Sequence, residues 1–213
     1  MRISTITDRE RAIAAASSAI RRGDLVVIPT ESMYALATDA FSARGVAALR
    51  ALKSTPPGVG LPVMVPNPST LPGIAAGVSA TVNDLVTAFW PGPLTVVVRP
   101  APTLTWELGD DSRVSVRMPL HPIALGVLER TGPTVVTGAN LPGMEALTDP
   151  DAVEEALEDE VTVMVDAGEL SAAWGASTVV DVTGEVPTLL RHGAYPLETL
   201  REVCPDVVDG TVS

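Results

Sequence analysis

The residues best suited to chemistry sit where apolar runs end. Pro29-Thr30-Glu31-Ser32-Met33-Tyr34 follows the apolar run 25–28, so its hydroxyls leave a buried strand in position to receive a small ligand. The same residues also suit a helix start, with Thr30 or Ser32 capping free backbone amides. Lys53 ends a helical stripe, where a cation also favours the helix dipole. Arg117 is embedded in Val114-Ser115-Val116-Arg117-Met118-Pro119, and strand alternation puts it on one face with Arg113 and Ser115. Two arginines on one strand face of an acidic chain need anionic partners, either protein carboxylates or a ligand's carboxylate and phosphates. Thr137-Gly138-Ala139-Asn140 offers a hydroxyl, a close backbone approach and an amide. Ser177-Thr178 opens another apolar run, and Leu189-Leu190-Arg191-His192-Gly193 ends one on a cation. Each segment alone serves a cap or a turn. Jointly they describe a groove with cations and hydroxyls at several strand ends, suited to a polyanionic small molecule rather than a duplex.

Other chemistries lack their residues. The phosphate loop Gly-x-x-x-x-Gly-Lys-Ser/Thr, the Gly-x-Gly-x-x-Gly fingerprint after a strand and the Gly-x-Ser-x-Gly elbow are all missing. His121 and His192 are the only histidines, too few for a histidine-rich metal centre, and no protein-ligated metal is expected. Cys204, the single cysteine, forbids an intrachain disulfide and reads as a packed thiol on an amphipathic helix. That usage fits a reducing, cytoplasmic setting. The N-terminal residues mix charge with alanine and do not read as a signal peptide; the apolar runs are too short to span a bilayer. A net charge of −12 makes general nucleic-acid binding weak, although local cationic pockets remain compatible with it.

The elements that must position these residues follow from apolar periodicity. Residues 8–22 carry Ile13, Ala16 and Ile20 on one helical face, and Val46, Leu49 and Leu52 make a second stripe. Val82, Leu85, Val86 and Phe89 make a third, stopped by Trp90-Pro91-Gly92-Pro93. Further helices are predicted around Ile123, Val127 and Leu128, over 152–157 and over 196–203. Strands are predicted at 25–28, 61–65, 94–98, 114–118, 134–137, 161–165, 178–182 and 188–190, with a polar loop through Asp110-Asp111. At 46% hydrophobic and only 3% aromatic, the 213 residues must build their core from Val, Leu, Ile and Ala. The prediction is a single α/β domain over 8–204 with a mixed, largely antiparallel sheet flanked by helices, and a flexible tail at 205–213.

The order of these segments carries a family resemblance. Pro29-Thr30-Glu31-Ser32-Met33-Tyr34-Ala35-Leu36, Lys53-x-Thr55, Phe89-Trp90-Pro91-Gly92-Pro93-Leu94-Thr95 and Val116-Arg117-Met118-Pro119-x-His121-Pro122 come first. Thr137-Gly138-Ala139-Asn140, Ser177-Thr178-Val179-Val180-Asp181 and Leu190-Arg191-x-Gly193 follow. In this order the chain resembles the YrdC-like threonylcarbamoyl-AMP synthases, over nearly its whole length. The resemblance implies a twisted mixed sheet with a concave, positively charged groove. It implies condensation of L-threonine, bicarbonate and ATP into threonylcarbamoyl-AMP and pyrophosphate, with Mg2+ carried by the ATP phosphates. The product would feed N6-threonylcarbamoylation of tRNA adenosine through separate transfer proteins, with direct tRNA binding weak or absent.

Carried over by motif, Thr30, Arg117 and Ser177 would bind threonine. Lys53, Thr137, Asn140 and Arg191 would bind ATP, and Tyr34 would shape the groove. The chain departs from the family pattern at Thr55, where an arginine is usual, and at Gly138, where a serine is usual. Ala35 and Ala37 replace glycines, and His192 replaces a proline. Arg50 or Arg113 are candidates to cover for the missing arginine. A diverged paralogue that binds nucleotide or RNA without turnover is the alternative reading.

Overall fold

A computed structural model describes residues 1–106, 108–109, 112–157 and 159–211. Apolar stripes and short β-branched runs become, in chain order, β1 (Arg2–Ser4), α1 (Thr5–Arg21), β2 (Val26–Pro29), β3 (Tyr34–Asp39), α2 (Ala43–Leu52) and β4 (Val63–Met64). Next come α3 (Leu71–Ile74), α4 (Ala80–Phe89), β5 (Leu94–Val98), β6 (Val114–Arg117), α5 (Pro122–Thr131) and β7 (Thr134–Gly138). The chain closes with α6 (Pro150–Leu157), β8 (Val163–Asp166), β9 (Thr178–Asp181), β10 (Thr188–Arg191), α7 (Leu197–Val203) and β11 (Val208–Asp209). Within α1, Asp8 leaves helical geometry and its carboxylate accepts from the Arg11 N–H at 3.0 Å, so the unbroken helix starts where the apolar spacing predicts. The Asp110-Asp111 loop lies outside the described residues.

The strands form one sheet in the order β1-β8-β2-β3-β7-β4-β6-β5-β9-β10-β11. It is mixed, as expected, but not largely antiparallel. Among the described strands β1–β8, β2–β8, β4–β6, β5–β9 and β10–β11 pair parallel, and an equal number of pairs run antiparallel. Strand β3 is missing from the sequence reading, which takes Pro29–Tyr34 as either a ligand-receiving exit from the sheet or a helix cap. Residues 30–33 instead close a β2–β3 hairpin, with the Thr30 N–H donating to the Met33 carbonyl at 2.9 Å.

The stretch 205–213, expected as a flexible tail, also carries a strand. Val207 is buried, and the Gly210 N–H donates to the Leu189 carbonyl at 3.0 Å. At the other end β1 pairs with β8, so the sheet extends past 8–204 on both sides. Cys204 caps α7 as a buried thiol, pushed up in pKa chiefly by burial. No helix among the described residues is long and apolar enough to cross a membrane.

Alternation along each strand sorts side chains into two cores. One face packs Val27, Leu36, Val63, Leu94, Val116 and Leu189 against α2, α3, α4, α6 and α7. The other packs Val26, Ile28, Ala35, Ala37, Val136 and Val163 against α1 and α5. Among the described residues this second core takes nothing from β5, β6, β9 or β10. Among the described residues this part of the sheet face has no share in a helix-covered core, and there the sequence places Thr95, Ser115, Arg117 and Asp181 beside Val97 and Val179.

Candidate active site

On this part of the sheet face, register aligns one row across four strands. Arg117 on β6 stands opposite Thr95 on β5, Thr95 opposite Val179 on β9, and Val179 opposite Arg191 on β10. At about 4.8 Å per strand the two arginine backbones are roughly 14 Å apart. The row borders a cavity of about 340 Å³, also lined by Thr30, Ser32, Ser115, Thr137 and Ser177.

The Arg191 end is organised by Ser177. Arg191 Nε donates to the Ser177 carbonyl at 2.9 Å and Nη2 to its hydroxyl at 2.7 Å, while Thr95 and Ser177 hydroxyls lie 2.9 Å apart. Gly193 makes this arrangement possible. A Cβ there would sit 2.4 Å from the Thr178 nitrogen and 2.5 Å from the Ala176 carbonyl oxygen, so only glycine lets β9 start this close to the end of β10.

The Arg117 end is organised by the turn after α4. Trp90 is buried and donates its indole N–H to the Leu94 carbonyl at 2.8 Å. This fixes Gly92, whose carbonyl accepts from Arg117 Nε at 3.1 Å. Arg117 Nη2 ion-pairs with Glu31 Oε1. Burial first, and then the like charge of Arg191, push the Arg117 pKa down; burial does the same to Arg191. Both guanidiniums are therefore partly stripped of water, a setting in which an anion gains more than at an open surface.

Five of the eight residues given binding or groove roles by the resemblance thus line one cavity: Thr30, Arg117, Thr137, Ser177 and Arg191. The Thr30 hydroxyl donates to the Met33 carbonyl at 2.6 Å, so it braces the hairpin turn as it faces the cavity. Tyr34 does not shape the groove. It projects into the opposite core, fully buried, and its hydroxyl donates to the Gly168 carbonyl at 2.6 Å and accepts from the Ala167 N–H at 3.0 Å.

Lys53 and Asn140 lie beside the cavity rather than in its lining. Lys53 Nζ donates to the Gly138 carbonyl at 3.0 Å, to Asn140 Oδ1 at 3.1 Å and to the Asn140 carbonyl. Gly138 fits this knot, since a Cβ there would stand 2.5 Å from Asn140 Oδ1. Neither candidate replacement for the missing arginine enters the cavity. Arg113 pairs with Asp181 at 3.2 Å, and Arg50 donates to the Pro56 and Val59 carbonyls at 3.0 Å each.

Two contributors escape the sequence reading. Thr95 shows only as one hydroxyl in an apolar strand, and Glu31 as one acid among the hydroxyls of its motif.

Comparison with known proteins places the chain in a family. The Sua5/YciO/YrdC family profile, described as telomere recombination, matches residues 18–193. A Mycobacterium tuberculosis protein provisionally named threonylcarbamoyl-AMP synthase is 40% identical over 196 residues, 92% of this chain and 90% of that one. The threonylcarbamoyl-AMP synthase of Pyrococcus abyssi is 32% identical over 197 residues, 92% of this chain but 58% of its own length. The crystal structure of P. abyssi Sua5 complexed with L-threonine matches with a TM-score of 0.88 at 30% identity, covering 98% of this chain and 62% of that one. Escherichia coli YciO matches with a TM-score of 0.79 at 26% identity, over 89% of this chain and 93% of that one. The chain therefore spans about three fifths of the Pyrococcus protein and most of the Mycobacterium and Escherichia ones. By profile, identity and fold together, it belongs to the Sua5/YciO/YrdC family.

Proposed function

We propose that this chain is an L-threonylcarbamoyladenylate synthase, a nucleotidyltransferase acting on L-threonine, bicarbonate and ATP. The observation that carries the reading is the row joining Arg117 to Arg191 along one cavity, which offers two separated cation sites with hydroxyls between them. The named activity of the Mycobacterium and Pyrococcus relatives and the threonine complex of P. abyssi Sua5 support it.

In the first step the deprotonated threonine amine attacks the carbon of bicarbonate and water leaves, giving the N-carboxylate. A carbamate oxygen then attacks the α-phosphorus of ATP, and the α–β phosphoanhydride bond breaks to release pyrophosphate. Neither step needs a protein nucleophile; both gain from alignment and from fixed positive charge. Arg117 takes the threonine carboxylate, with Thr30 and Ser177 at the same cavity. Arg191 takes ATP phosphates; Thr137, also proposed for ATP, lines the cavity from β7, on the far side of β6 from Arg191. Lys53 reaches phosphate only by exchanging its bonds to the Gly138 and Asn140 oxygens. Arg191, bound only to the uncharged oxygens of Ser177, suits phosphate oxygens, and Mg2+ would enter on the triphosphate, where it would neutralise charge. The adenylate passes to separate transfer proteins that modify tRNA.

The test is pyrophosphate release by the purified chain. Release that needs ATP and bicarbonate, and that L-threonine stimulates beyond serine or valine, is the expected result. A folded protein releasing none at any threonine concentration would exclude the reading.

A further inference from the structure

Glu31 has no part in the steps above, yet it lies against the cation assigned to threonine. Its carboxylate is 5% exposed and faces the Arg117 side chain, itself 14% exposed. Beyond that ion contact, both Glu31 oxygens, Arg117 Nη2 and the Ser32 hydroxyl beside them are buried without hydrogen-bond partners. Nε and Nη2 of Arg117 thus face protein oxygens, while the residue also lines the cavity.

The two ends of the row differ in charge as a result. At one end Glu31 and Arg117 sum to zero. At the other, the bonds of Arg191 to Ser177 go to a carbonyl and a hydroxyl, neither of which carries charge. A neutral, desolvated end accepts a molecule that is itself neutral overall but has separated charges, such as an amino acid zwitterion. A bare polyanion there meets the field of the Glu31 carboxylate, which its burial leaves weakly screened. The Arg191 end carries no such penalty and attracts phosphates.

We propose that Glu31 is the specificity-determining residue of the groove: by neutralising Arg117 it reserves that end for the zwitterionic amino acid and directs phosphates to Arg191. This inference rests on the synthase reading. Glu31 also holds one edge of the guanidinium, so that the remaining edge meets the incoming carboxylate in a fixed orientation.

The experiment is calorimetric titration of L-threonine, with and without inorganic pyrophosphate, into the wild-type chain and the Glu31→Gln and Glu31→Asp variants. Wild type should bind threonine equally well in either case. In Glu31→Gln, threonine affinity should fall about tenfold or more, the scale of one lost charge-assisted contact, and pyrophosphate should now compete with threonine. Glu31→Asp keeps the charge and should still exclude pyrophosphate. Threonine affinity within twofold of wild type in folded Glu31→Gln, or pyrophosphate failing to compete there, overturns the proposal. Should Glu31→Gln lose its thermal unfolding transition, pyrophosphate competing in Glu31→Asp overturns it equally. A wild-type chain that binds no threonine would instead refute the synthase reading.

Discussion

Arg117 and Arg191 stand in one lateral row of the sheet, three strands apart, and different oxygens hold each of them. Gly92 and Glu31 hold the first, Ser177 the second. Their separation matches a reaction that must bring an amino acid and a triphosphate together while keeping their anionic groups apart.

Neutralising either arginine should therefore affect a different substrate. Arg117→Gln is expected to raise the threonine KM by about ten- to a hundredfold with a smaller change for ATP, and Arg191→Gln to do the reverse. The scale is that of one hydrogen bond to a charged group, roughly 1.5–3 kcal/mol. Steady-state kinetics with each substrate varied would check it; equal effects of both variants on both KM values would refute the division.

Ser177→Ala removes the hydroxyl that both Thr95 and Arg191 use, while leaving the backbone carbonyl to Arg191 Nε. Binding should weaken by about tenfold, because Arg191 keeps one of two tethers and gains rotational freedom. The melting temperature should change little. A large loss of stability with unaltered kinetics would make Ser177 a structural residue only.

Tyr34→Phe tests the reassignment of that residue from groove to core. Losing the bonds to Gly168 and Ala167 should cost about 1–3 kcal/mol, with threonine and ATP KM values unchanged. Burial pushes the Tyr34 hydroxyl up to about 12, against 10 in an unfolded chain. The folded state then keeps a proton that the unfolded state releases. Its stabilising contribution is complete below pH 10 and is lost as pH rises through about 12. The variant should show a shallower fall in melting temperature across that window, and an identical alkaline profile would contradict the assignment.

Lys53→Met removes a cation from the Gly138 and Asn140 acceptors. The expected loss is about 1–3 kcal/mol, or roughly 2–4 °C in melting temperature for each kcal/mol in a chain of this size. The ATP KM should rise as well, since Thr137 and Gly138 line the cavity on the strand that Lys53 braces. A melting temperature equal to wild type would mean that the knot contributes nothing.

Much was legible from local pattern. Leu85 and Val86 in an i, i+3, i+4 stripe, or Val96 in a β-branched run, bury their side chains wherever the chain goes, so periodicity alone places them in helix or strand. The positions of Arg117 and Arg191 at strand ends, and the order of the motifs, follow from the chain itself and were enough to point to the family. Strand β3 was hidden because Tyr34-Ala35-Leu36-Ala37 packs small alanines between two buried layers and lacks a run of branched residues. Strand β11 was hidden because its support comes from β10, outside its own residues.

The amino-acid sequence by itself determined the alternation of helices and strands, the apolar faces, and the cations and hydroxyls available for phosphate and carboxylate. Only the tertiary structure decided which of them meet. Thr95 touches Ser177 across 82 residues, Arg113 is drawn to Asp181 instead of the cavity, and Tyr34 turns to the opposite core from Ala35. The reason is that a side chain's face depends on strand register as well as residue type: a shift of one residue reverses it, and register is fixed by packing contributed from the whole chain.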